Sequence, residues 1–311
     1  MSTIYKFFIL ISIVIIAAFF IKATQQAPNI EETTSKISNT TATDKNVSPN
    51  YEIKAVTMPS FLEFANEEVP LNVQDVYERM DRELHVNTYW QSNTILYAKR
   101  AHKFFPIIEK ILAENGVPDD FKYLALIESG LMNVTSPAGA KGFWQIMKTT
   151  GRENGLEINK NVDERYNLEK ATRVACKYLK SAHDKFGSWT MAAASYNSGR
   201  AGIIKQMDKQ QVKNYYDLLL GEETSRYVFR IIAAKEILTH PKKYGFIYNK
   251  NDLYNHKDTY QVEVDTVITN IANFAKHYGL NYKELKAYNP WLRENVLNNA
   301  SHKKYLISLP R

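Results

Sequence analysis

Cysteine occurs once, at Cys176, so no disulfide can form within the chain. Ala175, Leu179, Ala182 and Phe186 share its helical spacing, which predicts a small buried apolar side chain there rather than a reactive thiol. The lack of disulfides does not exclude export, because a large enough core needs no staples. The 7 histidines include no His-x-x-x-His pair and have no cysteine partner, so the sequence implies neither a metal site nor a cofactor. Residues 139–142 lack the Gly-Lys-Ser/Thr spacing of a phosphate loop, and there is no Gly-x-Ser-x-Gly elbow. No internal repeat is found.

Negative charge is the scarcer sign. Lys and Arg number 40 against 33 Asp and Glu, a formal charge of +7 over 311 residues. That excess suits nucleic acid, anionic lipid or a cell-wall polymer without choosing among them. With 44% hydrophobic and 23% charged residues, the chain reads as one large or two modest globular domains. Residues 4–21 are nearly all apolar, interrupted by Tyr5, Lys6 and Ser12 and followed by Lys22. The apolar core of this segment lies between a signal-peptide core and a full membrane span in length. No small-x-small cleavage site follows, and no cysteine there could carry a lipid. Residues 1–23 are therefore predicted to be an uncleaved membrane anchor in preference to a cleaved signal, with the remainder exported. An exported chain leaves no role for nucleic acid. Residues 24–57, rich in Thr, Ser, Asn, Gln, Lys and Glu, are predicted to be a disordered tether.

Residues 58–246 carry an almost wholly helical pattern. Pro118 with Asp119 and Asp120 opens one helix, and Gly130 is its expected stop. Gly187 ends the helix of Cys176, and Ser188 caps the next, which runs toward Gly199. Tyr227, Ile231, Ala234 and Leu238 mark a further helix that stops before Pro241. After a polar stretch near residues 249–258 the pattern changes. Residues 260–264 and 305–309 read as short strands, with helical patterns near 267–278 and 282–289 between them. This β-α-α-β unit, 259–311, is expected to fold independently of the helical part. The fold class is mainly α.

Phe121, Leu124, Ala125 and Glu128 share one helical stripe, so a carboxyl sits where an apolar residue belongs. Burial there, and the negative end of the helix dipole, both raise a carboxyl pKa. A carboxylic acid kept protonated near neutral pH can protonate a glycosidic oxygen. The spacing alone equally allows a helix-end carboxylate turned to solvent or paired with a base.

The segments that follow are Glu128-Ser129-Gly130, Ser136-Pro137-Ala138-Gly139-Ala140-Lys141-Gly142-Phe143-Trp144-Gln145, Ala194-Ser195-Tyr196-Asn197 and Glu223-Thr224-Ser225-Arg226-Tyr227-Val228. In this order they resemble the lysozyme-like soluble-lytic-transglycosylase domain, most closely the membrane-bound lytic murein transglycosylase D group. The resemblance covers about residues 101–238. It implies that Glu128 is the catalytic acid/base, Ser136 a hydrogen-bonding serine near it, and Gln145 a lining of the sugar groove. Tyr196 would orient the acid, Asn197 would support the substrate or that tyrosine, and Glu223 and Tyr227 would lie near the cleft. Trp144 stands with Phe143 where the family has Leu-Met, as a sugar platform or as core. The spacing from Glu128 to Ser136 is shorter than the family's, and Ser195 replaces an alanine.

The resemblance further implies cleavage of peptidoglycan glycan strands, with closure of a 1,6-anhydro ring and no protein nucleophile. A hydrolase of the same fold would need a second carboxylate, and none of Asp119, Asp120, Glu153, Glu157, Asp163 or Glu164 is singled out. A non-catalytic glycan-binding scaffold is the remaining alternative. The C-terminal unit resembles a LysM glycan-binding module through Tyr260-Gln261-Val262, Asp265-Thr266-Val267, Asn289-Pro290 and Leu306-Ile307. It departs from that family at Val264 and in a long stretch over 292–304. The implied location is the bacterial cell envelope, with a periplasmic part tethered to the membrane.

Overall fold

A computed structural model describes residues 53–311. The predicted anchor, and all of the tether except its last residues, lie outside the described residues. Among the described residues no helix is long and apolar enough to cross a membrane.

A tight hairpin comes first, β1 (Glu63–Phe64) against β2 (Glu67–Glu68). Its turn residues Ala65 and Asn66 both have positive φ, 53° and 64°, the geometry that lets a two-residue turn follow the strand twist. Two acidic side chains fix the hairpin to the helices. Asp120 Oδ2 accepts from Ala65 N at 2.7 Å and from Lys235 Nζ at 2.7 Å. Glu67 accepts from Ser188 Oγ, Trp189 N and Thr190 N at 2.5–2.9 Å, at the positive end of a helix. Asp120, expected to serve its own helix end, makes no capping bond there.

α1 (Gln74–Tyr89) and α2 (Gln91–Glu114) are separated at Trp90, whose ψ of 56° leaves the helical region. α1 buries Val76, Met80 and Leu84 at four-residue spacing. α3 (Phe121–Ser129) is apolar almost all round, and only Lys122 and Glu128 are not fully buried. It stops on Gly130 at φ 61°, where a Cβ would meet Arg100 and Tyr97 at 3.2 Å. After α4 (Lys148–Glu153) come α5 (Leu168–Phe186), capped by Asn167 and closed by Gly187, and α6 (Trp189–Ser198), capped by Ser188. Cys176 on α5 is fully buried, and burial pushes its thiol up to about 12, so it is inert. α7 (Arg200–Gln210) leads to α8 (Glu222–Thr239), which packs against α1, α3 and α6 and so forms the spine of the bundle.

The C-terminal unit pairs β3 (Thr259–Val264) with β4 (Tyr305–Pro310), antiparallel, with Val262 opposite Ile307 and Val264 opposite Tyr305. α9 (Ile271–His277) and α10 (Tyr282–Tyr288) lie between the strands in sequence, as the pattern predicts. The expected independence of this unit is not what the packing shows. Its core takes in Val162 and Tyr166 from the helical domain, 1% and 5% exposed, beside Trp291, Leu292 and Ile307. Arg293 N donates to Asn161 O at 2.7 Å, Asp163 N to Trp291 O at 2.9 Å, and Asn298 N to Asn161 Oδ1 at 3.0 Å. Lys303 and Tyr305 both bond to Glu157. The long stretch over 292–304 supplies most of this interface, which accounts for its departure from the module it resembles. The polar linker is itself strapped to α2, where Tyr254 N donates to Lys99 O at 3.3 Å.

Candidate active site

Glu128 lies on the last turn of α3, and α8 crosses over it. The Tyr227 hydroxyl donates to Glu128 Oε1. Burial raises the Glu128 carboxyl above its ordinary value, the Tyr227 bond and the Arg230 charge pull it back, and the nearby Glu223 carboxylate pushes it up again. The net shift is upward, as the inward stripe predicts. Burial, and next the Glu128 charge, hold the Tyr227 hydroxyl well above its usual range, so it stays a donor at any working pH.

The loop over residues 134–146 closes the other side. Ser129, beside Glu128, donates from Oγ to Phe143 O at 2.8 Å and so pins this loop to α3. Gln145 adopts φ 45°, a left-handed backbone rare outside glycine, and its Nε2 donates to Gly142 O at 2.8 Å and Val134 O at 3.3 Å. Gly142 at φ 78° has no room for a Cβ, which would lie 2.1 Å from Arg165 O. Arg165, 3% exposed, is gripped by Asp163 at 2.8–2.9 Å and reaches Gly139 O and Ile146 O with Nη1.

Three expectations need correction. Trp144 is not a sugar platform: it is fully buried, and its Nε1 donates to Thr172 Oγ1 at 2.8 Å. The exposed apolar side chains near this loop are Met132 and Met147. Tyr196 makes no hydrogen bond to Glu128, although the Glu128 charge acts on it: its hydroxyl donates to Trp144 O at 2.7 Å while its ring meets Tyr178 edge-on at 5.3 Å. Tyr227 holds that position instead. Ser136 turns inward on its own loop, where its Oγ accepts from Ala140 N at 3.0 Å. Asn197 links α6 to α8, donating to Glu223 Oε1 at 3.0 Å and accepting from Thr224 Oγ1 at 2.7 Å. Among the described residues no group of His, Cys, Asp and Glu side chains could hold a metal ion.

Comparison with known proteins finds the transglycosylase SLT domain over residues 105–219 and the soluble lytic transglycosylase C-terminal LysM-like domain over residues 260–311. The chain carries an SLT transglycosylase domain. It is 25% identical, over 253 residues, to the membrane-bound lytic murein transglycosylase D of Escherichia coli K12 and to that of Escherichia coli O6:H1. That alignment covers 78% of this chain and 54% of each relative, so the chain spans about half the length of the curated relatives it matches. The SLT match ends before α8, so the residues that set the charge around Glu128 lie beyond it. Of these, Arg230 was missed in the sequence. Its signal is helical spacing, since Glu223, Arg226, Tyr227 and Arg230 fall on one face of α8. Ser129 was also missed as the residue that fastens the SLT loop to the helix of the acid.

Proposed function

We propose that this chain is a peptidoglycan lytic transglycosylase, anchored in the cell envelope by its N-terminal segment, that cleaves the β-1,4 bond between N-acetylmuramic acid and N-acetylglucosamine. The observation that carries this reading is Glu128: one carboxyl with a raised pKa, held by a tyrosine hydroxyl, beside a clamped loop. Glu128 donates its proton to the leaving glycosidic oxygen and becomes a carboxylate, which the Tyr227 hydroxyl and the Arg230 charge stabilise. The carboxylate then takes the proton of the muramic C6 hydroxyl as that oxygen bonds to C1. The anhydro ring closes, Glu128 is reprotonated and no water is consumed. The docked LysM-like unit would add glycan contacts to those of the cleft.

One observation favours a second reading, a lysozyme-like hydrolase. Glu223 lies close enough to act on Glu128 electrostatically and could serve as a second carboxylate. It is exposed, and Asn197 holds it. Mass spectrometry of muropeptides released from sacculi separates the two. The transglycosylase gives products lighter by one water than the hydrolase's reducing ends, and mostly reducing ends would establish hydrolysis. Glu128→Gln is the control, with a loss of about 10²–10⁴-fold expected. Because the folded pKa of Glu128 is raised, its ionisation costs stability above the unfolded pKa, fully so above the folded one. The Gln variant should therefore be as stable as the parent at neutral pH, or more so.

A further inference from the structure

Glu83 on α1 is 1% exposed, the most deeply buried acidic residue among those described, and it faces α8. Its carboxylate accepts from Arg226 Nε of α8 at 2.7 Å and from Arg82 Nη1 at 2.6 Å. A charge withdrawn this far from water is held by its partners, and removing one is costly. Arg82 is half-exposed and belongs to the same helix as Glu83, so Arg226 is the partner that ties two helices together. One turn earlier on α1, Arg79 donates to Ser225 O at 3.4 Å and lies over the Phe229 ring, 4.8 Å from its centre. α1 therefore grips α8 at residues 225, 226 and 229, on both sides of Tyr227 in sequence.

Adjacent side chains on a helix point about 100° apart, so holding Arg226 toward α1 turns Tyr227 toward α3 and Glu128. The Tyr227 hydroxyl stands at the end of a long rigid arm, and a small turn of α8 about its axis carries it out of hydrogen-bond range. The charges that act on Glu128, those of Arg230 and Glu223, are carried by α8 as well. Neither Glu83 nor Arg226 falls within the SLT match over residues 105–219.

Resting on the reading of Glu128 as the acid/base of a transglycosylase, we infer that Glu83 is a positioning residue for the reaction: through Arg226 it fixes the rotation of α8 that sets the Tyr227 hydroxyl on Glu128. The sign of one shift separates this role from a through-space effect. Tyr227 and Arg230 together outweigh Glu223, so α8 as held lowers the Glu128 pKa, and letting it turn raises that pKa. Removing the Glu83 charge and freeing that of Arg226 would, by through-space electrostatics alone, lower it.

The test compares the full chain with Glu83→Gln, Arg226→Gln and the double variant. Turnover of soluble glycan fragments is measured across pH. The Glu128 carboxyl is titrated by carbon NMR of protein labelled in glutamate, with Glu128→Gln giving the assignment. Both single variants should move the Glu128 titration to higher pH and lower kcat about tenfold, with KM within about twofold, since a misplacement of about 1 Å can cost up to about 10²-fold. The double variant should do no worse than either single one, because the pair acts as one device. In a Tyr227→Phe background, Glu83→Gln should add less than about twofold. Urea unfolding shows which variants are folded, and Arg226→Lys, which keeps the charge and loses the fork, carries the same test in milder form if Glu83→Gln does not fold. A Glu128 titration that stays in place or moves to lower pH in a folded variant overturns the positioning role, and so does a full tenfold loss in the Tyr227→Phe background. A parent that releases only reducing-end products while the variants still shift the titration upward refutes the transglycosylase reading and supports the positioning role.

Discussion

Replacing Tyr227 by Phe removes one oxygen and leaves the packing of α8 on α3 intact. The lost hydroxyl is the donor on Glu128 Oε1, in a site where water does not readily take its place. A hydrogen bond to a charged group contributes about 1.5–3 kcal/mol. It is strongest after Glu128 has given up its proton, so most of this appears in the barrier to glycosidic cleavage, and kcat should fall about 10–150-fold. The pH profile gives a second readout. The Tyr227 bond lowers the pKa of Glu128, and its loss lets burial raise that value further. The limb of the kcat/KM profile that reports Glu128 deprotonation should therefore move to higher pH.

Tyr196→Phe provides the contrast. Its hydroxyl bonds a neutral carbonyl, that of Trp144, so its loss should cost about 1 kcal/mol of stability and leave the position of the pH profile unchanged. The assay is turnover of soluble glycan fragments across pH, with urea unfolding of both variants. Activity within about threefold of the parent for Tyr227→Phe would refute the role given to this hydroxyl. So would a pH shift that appears in the Tyr196 variant instead.

Gly142→Ala places a methyl group 2.1 Å from the Arg165 carbonyl at a backbone of positive φ, and should destabilise the protein by about 2–4 kcal/mol. A lower urea midpoint at constant slope shows it, and a change under about 0.5 kcal/mol would mean that the loop is not clamped. A chain ending near Lys250 uncovers Val162 and Tyr166 and should unfold at lower urea, with lower activity on soluble fragments as well as on sacculi. An unchanged midpoint would show that the C-terminal unit is a separate module.

Much of the fold is legible in the sequence because its punctuation is local. Gly130, Gly187, Ser188 and Pro241 each act on their own helix end, and all four do as their residue types predict. Glu128 needs more than its apolar stripe, which alone equally allows a solvent-turned or paired carboxylate; the ordered segments after it, through the family they resemble, single it out. Tyr196 and Tyr227 are not separable in this way. Both are aromatic residues at core spacing on helices, and which hydroxyl meets the acid depends on how α6 and α8 cross α3. The direction of Trp144 is decided by the loop that Ser129 and Arg165 hold, which places the indole over Thr172. The docking of the C-terminal unit is also tertiary. Its one sequence trace is the long 292–304 stretch, which reads as a departure until Asn161 and Glu157 are seen opposite it.

That docking reaches the loop of the candidate active site through a continuous set of hydrogen bonds. Trp291 O accepts from Asp163 N, the Asp163 carboxylate holds Arg165, and Arg165 holds the carbonyls of Gly139 and Ile146 on either side of Gly142 and Gln145. Burial alone would raise the carboxyls of Asp163 and Glu157. The Arg165 guanidinium, with a lesser pull from Lys141, brings Asp163 below the ordinary carboxylate range, and Lys303 with Tyr305 does the same for Glu157. Carboxyls with depressed folded pKa values stabilise the fold above their unfolded values, and this contribution is lost as pH falls through the folded ones. Acid should therefore loosen the interface and the loop together, below the usual carboxylate range. Hydrogen exchange of residues 139–146 and 157–166 measures this. Protection should drop in both segments over the same pH interval in the full chain, and protection lost in 157–166 alone would break the proposed path at Arg165.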